Sequence, residues 1–343
     1  MRRGAQKRLK LAIVLGVFAL LFSGLTSFRA LADPAKAPES AGLNPKVKIR
    51  LGLLPIADTI LIRLAVREGY FAQEGLLVTL TPFQSTLEKD SAVLAGQLDG
   101  HFCEISSAMV QRSQGRPFKI IAITSHTDPK ERVFGLVTKP DSLAKNLADL
   151  KGQTLGVARQ TIVDYLTDVF LKRANLPLDY FDRRDIRKIP LRLQTLAAGQ
   201  LEAGIFPEPL LSVAEKNGGR VILDDRDLDM PLAAVALRDD LASPKVVKAF
   251  QRALSQAVSY VNANPGETRA YMLEVGLIPA SLASGWRPPT YNPVNVPYKL
   301  PDKALFDSYV AWLIRNEVWK RPGAPGDLRE PPTFFESIYQ DPK

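Results

Sequence analysis

From residue 47 onward, short apolar runs alternate with segments whose apolar residues recur at helical spacing. VKIRLGLLPI (47–56) is an apolar run of strand length, and LLVTLTPF (76–83) is a second, rich in Thr, Val and Leu. Between them, ADTILIRLAVREGYF (57–71) places Ile60, Leu61, Leu64, Ala65 and Phe71 close to helical spacing. TLEKDSAVLAG (86–96) predicts a helix stopped by Gly96, LDGHFCE (98–104) a strand, SSAMVQRSQG (106–115) a helix opened by Ser caps, and FKIIAITS (118–125) a strand. The order βαβαβαβ argues for a parallel sheet with helices on both faces.

RVFGLVTKP (132–140) is a further extended run, after which the alternation restarts. NLADLKG reads as a helical turn, TLGVA as a strand, TIVDYLTDVFLKRAN (161–175) as a helix, IRKIPL (186–191) as a strand and RLQTLAAG (192–199) as a helix. EAGIFPE is strand-like, PLLSVAEKN a helix with Pro at its first turn, RVILDD a strand, and LAAVALRDD (232–240) a return strand. A long helix, PKVVKAFQRALSQAVSYVNANP, precedes a Pro-rich stretch, WRPPTYNPVNVPYKLP, and a last helix, KALFDSYVAWLIRNEVW.

One phrase occurs in both halves. LAGQLDGHFCE (94–104) and AAGQLEAGIFPE (197–208) each combine a helix end, a Gly stop and a short apolar strand ending in Glu. Either two equivalent lobes or the convergence of a common helix–stop–strand pattern accounts for it.

The length of 343 residues exceeds the usual single-domain size, so two core-forming units are expected. The formal charge of +9 is misleading, because Arg2, Arg3, Lys7, Arg8, Lys10 and Arg29 lie in residues 1–32 and the rest carries +3. No Lys/Arg stripe remains, so a nucleic-acid partner is not expected. Those first residues run from a basic start (MRRGAQKRLK) through an apolar run (LAIVLGVFALLF) to Ala30-Leu31-Ala32. This order predicts a signal peptide over 1–32, cleaved after Ala32, and hence a periplasmic protein. The alternative is an uncleaved anchor, for which the run is short. DPAKAPESAGLNPK (33–46) reads as a flexible, polar lead-in. Cys103 is the only cysteine, which excludes an intramolecular disulfide, and with two histidines no zinc site or other cofactor is expected.

LPIADTILIRLAVREGYFAQEGLLVTLTPF resembles the opening of the periplasmic substrate-binding proteins of the nitrate, sulfonate, taurine and thiamine-precursor (NMT1-like) ABC importers. AGQLDG (95–100), DLKGQTLGVA (149–158), FPEPLLSVAE (206–215) and TYNPVNVP (290–297) resemble later landmarks of that family, so the resemblance spans about residues 47–320. It implies an α/β, two-lobe type II periplasmic binding protein fold, each lobe a mostly parallel sheet flanked by helices. Lobe 1 would comprise 47–133 and 237–343 and lobe 2 138–232, with two crossover strands as hinge near 134–137 and 233–236. It further implies a receptor that delivers a small polar organic solute to the permease and ATPase of an ABC importer by hinge closure, acting as a monomer. An enzyme on the same fold acting on a small heterocycle, or a membrane-tethered ligand sensor, are the alternatives; fold alone does not decide.

Open α/β sheets bind ligands beyond the carboxyl ends of their strands. The candidate site residues are therefore Asp58, Thr59, Ser85, Thr86, Glu104, Ser106 and His126 in lobe 1, and Arg159, Gln160, Thr161 and Glu208 in lobe 2. Thr59, Ser106 and Thr161 stand at helix N-termini, where they either hold a polar ligand atom or simply cap. Asp58, Glu104, Asp164 and Glu208 would make an acidic cleft opposed by Arg159, suited to an amine-bearing or ring-donor ligand rather than a simple anion. Two readings compete with this: Glu208 before Pro209 favours a helix N-terminus, and Asp164 faces solvent. Arg132 is placed to pair with one acid. Phe83, Phe134, Tyr165 and Phe206 either stack on a ring or belong to the core. His101 and Cys103 share a strand face but are read as core, because residues two apart on a strand rarely reach nucleophile–base contact.

Overall fold

The computed structural model describes residues 47–113, 118–291 and 303–318. The expected signal peptide, the lead-in, residues 292–297 of TYNPVNVP and everything after 318 lie outside the described residues.

Two five-stranded sheets organise the chain. The first contains β1 (Val47–Leu53), β2 (Leu76–Pro82), β3 (Gly100–Cys103), β4 (Phe118–His126) and β10 (Pro231–Arg238) in the order β2-β1-β3-β10-β4. The second contains β5 (Phe134–Thr138), β6 (Thr154–Val157), β7 (Asp182–Asp185), β8 (Ala203–Pro207) and β9 (Val221–Asp224) in the order β7-β6-β8-β5-β9. These orders are the same when β1 is matched to β6, β2 to β7, β3 to β8, β4 to β9 and β10 to β5. In the first sheet β1 is parallel to β2 and β3, and β10 is antiparallel to β3 and β4. In the second, β6 is parallel to β7 and β8, and β5 is antiparallel to β8 and β9. The sheets are thus mixed, and the antiparallel strand in each is the first one laid down after the chain passes from one sheet to the other. Those passages are residues 127–133 and 225–230; β5 pairs only within the second sheet and β10 only within the first.

The repeated phrase occupies matched places. Gly96 and Gly199 both have φ of +71°, the left-handed conformation that costs glycine nothing. Each closes its helix with the same pair of bonds: Gly96 N–H to Val93 and Gln97 N–H to Ala92, Gly199 N–H to Leu196 and Gln200 N–H to Thr195. The strands that follow, β3 and β8, are buried throughout and central in their sheets.

Ten α-helices are described: α1 (Ile60–Arg67), α2 (Tyr70–Gln73), α3 (Thr86–Leu94), α4 (Ile105–Ser113), α5 (Ile162–Arg173), α6 (Ile189–Ala197), α7 (Leu210–Lys216), α8 (Pro244–Ala263), α9 (Pro265–Glu274) and α10 (Lys303–Arg315). One expectation fails. IRKIPL is not a strand; the strand is DRRD (182–185), and α6 already begins at Ile189 with Pro190 in its first turn. β7 is a sheet edge of charged residues, so it carries no apolar signal, whereas Ile189 and Leu196 are the buried face of α6.

Two helices, α8 and α10, tie the layers together. The buried stripe of α8, from Val247 to Val261, packs on α1 and α2, with the rings of Phe250 and of Phe71 in α2 4.7 Å apart. Full burial of a side chain such as Phe250 contributes about 2–3 kcal/mol. The helix α10 reaches across to α5: Tyr309 stacks on Tyr165 at 4.3 Å, and the Trp312 indole N–H donates to Asp168 at 3.1 Å. Arg315 and Arg183 also bond Asp168, which is 4% exposed. Tyr309 additionally donates to the Pro231 carbonyl at the start of β10, so α10 touches elements of both sheets. Among the described residues no helix is long and apolar enough to cross a membrane.

Candidate functional site

The carboxyl ends of β1 and β3 face those of β6 and β8 across a narrow slot. Its volume is about 40 Å3, and its walls come from both sheets: Ile56, Thr86 and Glu104 on one side, Phe134, Thr161 and Arg192 on the other. Backbone ties bridge the two sides, from Ala57 N–H to the Glu208 carbonyl at 3.4 Å and from Ile189 N–H to the Gln84 carbonyl at 3.3 Å. Lys188 and Glu88 form an ion pair at 3.5 Å beside the second tie.

Glu104 follows β3 and is 7% exposed. The Thr86 hydroxyl donates to its Oε1 at 3.3 Å, while its Oε2 is buried without a hydrogen-bond partner. Burial pushes its pKa above the usual carboxylate range, an effect that nearby Lys89 partly offsets. Opposite stands Arg192 on α6, 1% exposed. One guanidinium nitrogen donates to the Ile186 carbonyl at 2.8 Å and the group lies over the Phe206 ring at 5.3 Å, but Nε is buried and unpaired. Burial lowers its pKa to about 10, so it remains a cation at neutral pH. Sequence reading missed Arg192, since a helical Arg ordinarily reads as solvated. Its position follows from Gly156 on β6, where an added Cβ would come within 3.3 Å of the Arg192 stem.

The remaining expected residues divide. Thr161 caps α5, accepting from Val163 N–H at 3.2 Å while its hydroxyl donates to the Ala158 carbonyl. Ser85 caps α3 by accepting from Glu88 N–H. Thr59 is buried, with its hydroxyl bonded to the Ile56 carbonyl at 2.8 Å. Ser106 is buried at the start of α4. Arg159 and Gln160 are exposed, and Gln160 takes a left-handed φ of 65° while its N–H donates to Asp164. Asp164 does not face solvent: it is fully buried and paired with Arg183 at 2.8 Å, a cation that sequence reading did not name.

Asp58 and His126 line a different cavity, of about 30 Å3. Burial raises the Asp58 pKa to about 6 against hydrogen bonds from Ser125 and Tyr291, the latter at 3.4 Å. His126 is half-buried, its Nδ1 2.9 Å from the Thr127 carbonyl.

Glu208, also 7% exposed, is fully engaged. Arg132 donates to its Oε1 at 2.9 Å, and the N–H and hydroxyl of Ser212 in α7 donate to its Oε2. It borders a cavity of about 250 Å3 with Glu131, whose oxygens accept from Thr290, and with Arg132, which also bonds Glu215. This space is larger than the slot, but its acids are already partnered. The slot is the better candidate because it alone of the three holds buried polar atoms without partners from opposite sheets.

Of the aromatic candidates, Tyr165 is taken up by Tyr309 and Trp312, Phe206 lies under Arg192, Phe134 lines the slot, and Phe83 packs on the core. His101 and Cys103 are both fully buried. The His101 ring meets Lys89 Nζ at 2.8 Å, and burial together with that cation holds it well below the usual histidine range. Burial pushes the Cys103 thiol up, which removes the thiolate a nucleophile needs. No group of three or more His, Cys, Asp or Glu positioned for a metal occurs among the described residues.

The sequence model of the NMT1-like family matches residues 42–276. Proteins of Brucella abortus and Brucella suis named as binding proteins are 27% identical over 243 residues, covering 67% of this chain and 72% of theirs. In structure, the chain is similar to the periplasmic aliphatic sulphonate binding protein SsuA of Escherichia coli, with a TM-score of 0.65, 17% identity, and coverage of 80% of this chain and 94% of that one. It is equally similar in TM-score, 0.65, to the alkanesulfonate-binding protein SsuA of Xanthomonas axonopodis bound to MOPS, at 15% identity and covering 79% and 93%. The periplasmic nitrate-binding protein NrtA of Synechocystis follows at TM-score 0.55, 17% identity, and coverage of 67% and 66%. These likenesses establish the two-lobe α/β fold of type II periplasmic binding proteins.

Proposed function

The chain belongs to the NMT1-like family, and from that premise we propose that it is an extracytoplasmic receptor that captures a small polar organic solute between its two lobes and delivers it to an ABC importer. The observation that carries this reading is the slot at the facing strand ends, walled by both sheets and holding the unpaired Glu104 Oε2. A site with walls from two lobes is completed only when the lobes meet, so its ligand prefers the closed state, and that preference is what drives closure. Passages 127–133 and 225–230 are the two chain segments between the sheets and supply the hinge, in place of the strands near 134–137 and 233–236 that the resemblance implied, because those strands each pair within a single sheet. The lobes then comprise residues 47–126 with 231–291, and 134–224. The leader 1–32 is removed after Ala32 and the mature chain acts as a monomer in the periplasm, where the importer's permease accepts the closed form and the ATPase powers release. The structural neighbours named for alkanesulfonates and nitrate support the receptor class, while the buried acid of the slot, Glu104, favours a ligand that carries a donor.

The test is a thermal-shift panel of amino acids, polyamines, aminopyrimidines, thiamine, taurine, alkanesulfonates and nitrate on refolded protein, followed by small-angle scattering with any hit. A ligand at a hundred times its Kd adds about 2.7 kcal/mol. A stabilising solute that also compacts the protein supports the receptor. Turnover of that solute, or stabilisation without compaction, contradicts it.

A further inference from the structure

We propose that the slot takes a small zwitterion, an amino carboxylate whose ammonium meets Glu104 from the first sheet and whose carboxylate meets Arg192 from the second. This rests on the receptor reading and names its solute class.

Each of the two groups lacks a partner. A guanidinium has five N–H donors and no acceptor. Arg192 gives one nitrogen to the Ile186 carbonyl and leaves Nε buried without a partner. No carboxylate forms an ion pair with it among the described residues, and the acid whose charge it senses, Asp185, is already bonded by Arg187 and by the Arg159 N–H. A buried cation in that state gains most from an oxyanion delivered by a ligand. Glu104 is the converse: Thr86 satisfies one oxygen, and the other is buried and open to an N–H donor.

The two groups also constrain each other. Both line the same slot, yet they form no ion pair with one another in the described structure. Ile56, Phe134, Ile162 and Pro207 make up much of the wall, so the middle of the solute is short and apolar. A simple anion at Arg192 would leave a buried carboxylate unpaired in the same small space, and a simple amine at Glu104 would leave the guanidinium unpaired. Only a solute charged at both ends satisfies both. Discrimination of this kind is steep, because a site built around a polar group leaves its own buried atoms unpaired when the analogue lacks that group.

The probes are β-alanine against propionate and propylamine, which differ only at their ends, with glycine and γ-aminobutyrate bracketing the length and methanesulfonate as a compact anion. Calorimetry on the purified protein is expected to find at least one zwitterion binding about 100-fold more tightly than its single-ended analogues. Glu104→Gln and Arg192→Met are each expected to lose about that factor. The unliganded Arg192→Met protein is expected to melt no lower than the parent, since methionine keeps the stem and removes the unpaired charge. Propionate or methanesulfonate binding as tightly as the zwitterions overturns the class and leaves the receptor standing, as does unchanged zwitterion affinity in Arg192→Met. Failure of every zwitterion also overturns the class. The receptor reading falls with it only if the wider panel is silent too.

Discussion

Glu104 and Glu208 end the two copies of one phrase, at matched strands of two sheets with the same order, and are equally buried. Their carboxylates nevertheless live differently. Glu208 is filled by Arg132 and by Ser212 of the helix that follows it, while Glu104 keeps one oxygen unpaired over the slot. The backbone was repeated and the chemistry was not. One lobe uses the strand-end acid to hold its next helix and the incoming chain passage, and the other leaves it available. A matched position in a duplicated architecture is thus no guide to role until the partners of each side chain are counted.

The largest expected effect falls on the engaged copy. Glu208→Ala leaves Arg132, whose side chain is 23% exposed, with only Glu215, and removes the acceptor of two Ser212 donors. A loss of about 3 kcal/mol is expected in urea unfolding, discounted from the full cost of breaking a buried pair because Arg132 keeps one partner. A double-mutant cycle with Arg132→Met should return most of it as coupling. A near-zero coupling would mean that Glu208 is as free as Glu104.

Next is Asp58, a third buried acid near the facing strand ends. Its folded pKa of about 6 lies above the value of an unfolded Asp, so the folded state binds the proton more tightly. The ionised form therefore costs stability, and that cost grows as pH rises from about 4 and is complete above about 6. Asp58→Asn is expected to gain about 1–2 kcal/mol at pH 7.5 and nothing near pH 3.5, read from melting curves across pH. A constant gain at all pH values would contradict the assignment of the cost to the charge.

The smallest effect tests the repeat itself. Gly96→Ala and Gly199→Ala each force a side chain into φ of +71° with open space around the new Cβ, so each should cost about 1 kcal/mol, and equally. Unequal costs would show that the two stops are not equivalent.

The apolar rhythm of β1, β2, β3 and β8 was legible because those strands bury whole runs or alternate faces against helices. β7 was not, since an edge strand written DRRD has the composition of a loop. The same segment hid two site facts. Arg183 closes on Asp164 and Asp168, removing Asp164 from the cleft, and the misplaced strand over 186–191 obscured that Arg192 sits one turn into a helix. Thr86, Glu104 and Thr161 were legible as strand-end residues and do meet at the slot. Asp58, His126 and Glu208 share the strand-end address but line other cavities, an assignment that no local pattern announces. What local spacing cannot carry is which buried group finds a partner far along the chain, as Glu208 does with Arg132.

The most direct measurement is the urea midpoint of Glu104→Gln and Glu208→Gln, side by side and without ligand. Glutamine keeps the shape and one acceptor while removing the charge. A loss of about 2 kcal/mol is expected for Glu208→Gln, whose charge-assisted bonds weaken, and no loss or a small gain for Glu104→Gln, whose buried charge has no full complement. Equal losses in the two variants would mean that the Glu104 carboxylate is already satisfied within the protein, and the slot would lose its claim to be the binding site.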